Sequence, residues 1–89
     1  PLDEKIILES VSKTKCLVSA EEHNYLGGLG ESISRVLSKN FPVPQEFVAT
    51  NDTFGESGTP SELMKKYGLD SDSIVEKVKK VLSRKQSIN

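Results

Sequence analysis

The chain has 89 residues, 35% of them hydrophobic and 28% charged, which is enough for one small globular domain that hides only about 60–65% of its unfolded surface. Twelve basic residues against thirteen acidic ones leave a net charge of −1, so nothing in the charge balance points to nucleic acid or an anionic membrane as partner. No apolar run approaches the ~20 residues of a membrane span, no secretory signal is visible, and the single cysteine excludes an internal disulfide framework and suits a reducing, cytoplasmic setting.

In chain order, Asp3 and Glu4 read as a helix start, because an aspartate caps free amides and a glutamate suits the positive end of the helix dipole. Ile6, Ile7 and Val11 follow at helical spacing, so a helix is predicted over 4–13. Cys16-Leu17-Val18-Ser19-Ala20 is a short, nearly continuous apolar run, the pattern of a strand covered on both faces. Polar Glu21, Glu22, His23 and Asn24 come next, then a turn of Gly27, Gly28, Leu29 and Gly30. Leu29, Ile33, Val36 and Leu37 make one stripe of a second helix, which Asn40, Pro42 and Pro44 stop. A second strand is expected over 46–50, followed by a loop over 51–58 rich in turn formers.

Thr59, Pro60 and Glu62 then form the clearest local signal: an N-cap, a proline at the first helical position and a capping box. Gly68 should end that helix. A last helix starts near 70–72, carries Ile74, Val78, Val81 and Leu82 on one face, and is expected to fray after Arg84. Its charged face, with Lys79, Lys80, Arg84 and Lys85, reads most simply as a solvated face. The order α-β-α-β-α-α over 1–89 argues for an α/β fold, three layers with a mainly parallel sheet. Met64 is the only methionine, so either processing or a missing N-terminal segment is expected; two strands make a poor sheet, so further strands are expected before Pro1 or on another chain.

Ligands of open parallel sheets bind beyond the C-terminal strand ends, where the loops 21–30 and 51–58 both belong. A glycine-rich helix start attracts phosphate, but Ile33 stands where a dinucleotide fingerprint needs its third glycine, and Glu21 and Glu22 add negative charge there. The glycines are therefore read as serving the turn and a close approach of helix to strand. His23, between Glu22 and Asn24, admits two readings: general acid-base work tuned by a carboxylate, or a hydrogen-bonded residue fixing a loop or an interface. Cys16 reads as a small buried hydrophobe, and one cysteine with one histidine cannot close a zinc site. Gly55, Ser57 and Gly58 do not have the spacing of a hydrolase nucleophile elbow.

Three stretches carry a resemblance: Pro1-Leu2-Asp3, Leu17 to Asn24, and Gly27-Gly28-Leu29-Gly30-Glu31. A fourth, Phe54-Gly55-Glu56-Ser57-Gly58-Thr59-Pro60-Ser61-Glu62-Leu63, continues into Lys66-Tyr67-Gly68-Leu69 and Ile74-Val75. In this order the set resembles the C-terminal domain of transketolases. The resemblance implies one domain of a thiamine-diphosphate enzyme that moves a two-carbon ketol unit between sugar phosphates in pentose phosphate metabolism. It implies that thiamine diphosphate and magnesium are bound by other domains, since the family's Gly-Asp-Gly motif and its pyrimidine-facing glutamate are absent here. The implied partners are the remaining domains, or an N-terminal subunit if the enzyme is split, within a homodimer. No catalytic, cofactor or metal residue is carried onto this chain. The candidates for an interface or cleft are Glu21, Glu22, His23, Asn24, Gly27, Gly28, Gly30, Phe54, Glu56 and Ser57. The alternatives are a deoxyxylulose-phosphate synthase or, more distantly, a 2-oxo-acid dehydrogenase β subunit, and a stand-alone small-ligand or regulatory module.

Overall fold

One strand organises the chain. In the computed structural model, which describes residues 2–22, 27–50, 56–67 and 72–88, β1 (Leu17–Glu22) lies at the centre of a three-stranded sheet. β2 (Gln45–Thr50) runs parallel to it on one side, with Leu17 opposite Gln45 and Glu22 opposite Thr50. β3 (Glu56–Gly58) runs antiparallel on the other, with Val18 opposite Gly58 and Ala20 opposite Glu56. The parallel α/β layer matches the expectation from sequence; β3 does not, since the turn formers over 51–58 predict a loop. Three residues are too few to show the two-residue alternation of a strand, and Gly58 reads as a turn former.

Side chains alternate across β1, and each face receives a pair of helices. Leu17 points to a cluster with Ile7, Val11, Ile33 and Leu37. These come from α1 (Glu4–Thr14) and α2 (Gly28–Asn40). Val18 and Ala20 point the other way, joining Cys16 and Val48 against Leu63, Ile74, Val78 and Val81. These come from α3 (Pro60–Tyr67) and α4 (Asp72–Ile88). Every residue of β1 from Leu17 to Glu21 is buried, as its apolar run requires. Each fully buried Leu, Ile or Val contributes about 1.5–3 kcal/mol, so the two clusters hold the three layers together.

The helix ends follow their local chemistry. Asp3 Oδ1 accepts from the Ile6 amide at 3.2 Å and starts α1. Lys15 ends it in the left-handed region (φ 63°), its amide donating to the Val11 carbonyl at 2.8 Å. The ammonium of Lys15 lies 4.6 Å from the centroid of the Phe41 ring. The capping box of α3 is formed as expected: the Thr59 amide donates to Glu62 Oε1 at 3.0 Å, and the Glu62 amide to Thr59 Oγ1 at 3.3 Å. The stop expected at Gly68 lies outside the described residues. α4 continues to Ile88 instead of fraying after Arg84, because no glycine or proline interrupts 85–88.

Candidate functional site

Glu21 is the penultimate residue of β1 and points to the α2 face. Its carboxylate accepts hydrogen bonds from three backbone amides: Gly27 at 3.2 Å, Leu29 at 2.7 Å and Gly30 at 3.1 Å. These are groups that the first turn of a helix leaves without an internal partner. The residue is 4% exposed. A buried carboxylate is costly unless its lone pairs are met, and here three donors and the positive end of α2 meet it. The anion that a glycine-rich helix start attracts is thus supplied by the chain itself. The sequence placed Glu21 beside this site; the structure places it inside.

Two glycines are required by this geometry. Gly27 has φ +105°, which L side chains rarely adopt. At Gly30 an added Cβ would collide with the Phe47 ring and lie 3.0 Å from Ser19 Oγ, so a side chain there would have to displace that ring. Gln45 links the same elements: Ser34 Oγ donates to its Oε1 at 2.7 Å. Its Nε2 donates to Ser19 Oγ at 3.2 Å and to the Gly30 carbonyl at 3.0 Å. Thr50 Oγ1 donates to the Glu21 carbonyl at 3.3 Å.

Of the sequence candidates, Glu21, Gly27, Gly28 and Gly30 are therefore brought together. Glu22, the last residue of β1, is half-buried. His23, Asn24 and Phe54 lie outside the described residues. The backbones of Glu56 and Ser57 belong to β3, opposite Ala20 and Ser19. Among the described residues no group of three His, Cys, Asp or Glu side chains could hold a metal ion. No described helix is long and apolar enough to cross a membrane. Cys16 is buried, as expected; burial pushes its thiol up from the ordinary range, and Lys85 only partly offsets this. A cavity of about 450 Å3 beside it opens between Lys13, Thr59, Val78, Leu82 and Lys85.

One cluster was missed. Glu46 in β2 is 7% exposed and faces α4, where Arg84 Nη1 donates to its carboxylate and the Lys77 and Lys80 ammoniums lie 4.0 Å away. So part of the charged face of α4, read as solvated, is turned to the sheet. The available signal was the spacing of Lys77, Lys80 and Arg84, which share one helical stripe.

Comparison with known proteins agrees with this architecture. Residues 1–74 match the family model described as transketolase, C-terminal domain. The 6-deoxy-6-sulfo-D-fructose transketolase subunit SqwH of Clostridium sp. (strain MSTE9) is 40% identical over 96% of this chain and 26% of its own. The Mus musculus transketolase is 38% identical over 94% of this chain and 14% of its own. A 1-deoxy-D-xylulose-5-phosphate synthase of Hahella chejuensis also matches, at 39% identity over 92% of this chain and 13% of its own. Among solved structures, a split gene transketolase described as an inactive beta4 tetramer superposes with a TM-score of 0.68. It is 41% identical and covers 96% of this chain and 27% of its own. The chain thus spans about a quarter of the length of the first of these relatives and of the solved structure.

Proposed function

The chain belongs to the transketolase C-terminal domain family, and on that premise we propose that it is the assembly domain of a transketolase. The complete enzyme would move a two-carbon ketol unit from a ketose phosphate to an aldose phosphate in the cytoplasm. Thiamine diphosphate and magnesium, bound by other domains, would supply the carbanion chemistry. This chain would hold those domains, or a separate N-terminal subunit, in a homodimer and contribute no catalytic group.

One observation carries the reading: the glycine-rich helix start, the place in this fold best suited to a diphosphate, is filled by the Glu21 carboxylate. A diphosphate there would have to compete with that carboxylate for the same amides, which supports placing the cofactor on other domains. The inactive tetramer of the split relative supports a segment that needs its partner for activity.

The test is a coupled ketol-transfer assay, xylulose 5-phosphate plus ribose 5-phosphate with thiamine diphosphate and magnesium, on the complete enzyme and on residues 1–89 alone. Transfer by the first and none by the second is expected. A complete enzyme that instead condenses pyruvate with glyceraldehyde 3-phosphate would be the related synthase, the second reading that the Hahella match favours. A segment that binds sugar phosphates unaided would be a stand-alone module.

A further inference from the structure

The outer edge of β2 is set by one hydrogen bond. The Leu17 amide donates to the Pro44 carbonyl at 3.0 Å. In a parallel ladder this phase turns the amide groups of Glu46, Val48 and Thr50 toward β1 and those of Gln45, Phe47 and Ala49 away from it. The sheet order is β2-β1-β3, so among the described residues no strand pairs with that outer edge. Phe47 is 39% exposed along it and Ala49 is exposed. Such an edge is a template for another strand.

One of its outward groups is nevertheless taken. Arg84 Nη1, reaching across from α4, donates to the Gln45 carbonyl at 2.8 Å while also bonding Glu46. Arg84 is not the only cation at Glu46, because the Lys77 and Lys80 ammoniums also stand 4.0 Å from its carboxylate. Its distinctive contact is the one to the strand edge.

We propose that Arg84 is an edge guard: by occupying the Gln45 carbonyl it keeps a second copy of the chain from adding its β2 antiparallel to this one. An incoming strand that pairs along the whole free edge must displace the guanidinium from its first acceptor. Glu46 holds the guanidinium over the edge and so makes that displacement unfavourable. This device does not depend on the assembly role proposed above, and it implies that any surface used in assembly is not the β2 edge.

The experiment is sedimentation equilibrium on the chain, its Arg84→Ala variant and the Arg84→Ala, Ala49→Pro double variant, with folding checked by circular dichroism. Amide exchange is followed at Phe47 and Ala49. The Ala49 amide faces outward, so proline there removes no ladder bond to β1 but blocks a new strand. Arg84→Ala should self-associate at least tenfold more tightly than the unaltered chain, with slowed exchange at Phe47 and Ala49. The added proline should abolish that gain. If Arg84→Ala does not fold, Arg84→Lys, which keeps a cation at Glu46 but loses the forked donor, should show the same change more weakly. Unchanged association, or a gain that survives the proline, would overturn the proposal.

Discussion

The carboxylate of Glu21 and the amide of Leu29, eight residues apart, are joined by a 2.7 Å hydrogen bond. This bond, with those to Gly27 and Gly30, ties the end of the central strand to the start of α2. Replacing Glu21 by alanine leaves these donors without an acceptor, the Gly30 bond in a buried setting. The expected loss is about 2–4 kcal/mol by urea denaturation. Glu21→Gln keeps one acceptor oxygen and should cost less. Equal stability of all three proteins would mean that water satisfies these amides.

Gly30→Ala tests the closeness of α2 to the sheet. The added methyl meets the Phe47 ring, so roughly 1–3 kcal/mol of destabilisation is expected in thermal unfolding. In a Phe47→Ala background most of that cost should vanish, leaving the tighter approach to Ser19 Oγ. Additive losses in the double variant would show that the ring is not the obstacle.

The capping box gives a pH signature. The Thr59 hydroxyl, and secondarily its amide, lower the pKa of Glu62. A carboxylate depressed by folding adds stability that is fully present above its unfolded pKa and fades as pH falls through its folded value. Thr59→Ala should therefore destabilise the protein by about 1 kcal/mol at neutral pH. The difference from the unaltered protein should shrink below the ordinary carboxylate range. Glu62 is exposed, so the effect will be small and is best read as a difference between denaturation midpoints.

Burial of Cys16 and its raised pKa predict a thiol nearly inert to labelling in the folded protein. Reaction with a disulfide reagent should track unfolding, rising steeply across the urea transition. Rapid native-state labelling would mean that the cavity beside it admits the reagent.

Much of the fold was legible because the relevant signals are local. Asp3 and the Thr59–Glu62 box announce helix starts, and the apolar run from Cys16 to Ala20 announces a strand covered on both faces. In β2 hydrophobicity misleads: Glu46 is buried and Phe47 partly exposed, because α4 brings three cations to the first and α2 shields only part of the second. The burial of Glu46 depends on cations more than thirty residues away in sequence. The sequence marks Glu21 only as a neighbour of the glycine loop. Its place inside the loop depends on how the chain returns after 22, which no periodicity records. β3 escaped notice for a plainer reason, its length.

The most direct test of the assembly role is sedimentation equilibrium of the complete enzyme beside the same enzyme lacking residues 1–89, both with thiamine diphosphate and magnesium. The account predicts a dimer for the first, and for the second a shift toward monomer with loss of ketol transfer. A truncated enzyme that stays dimeric and fully active would contradict it.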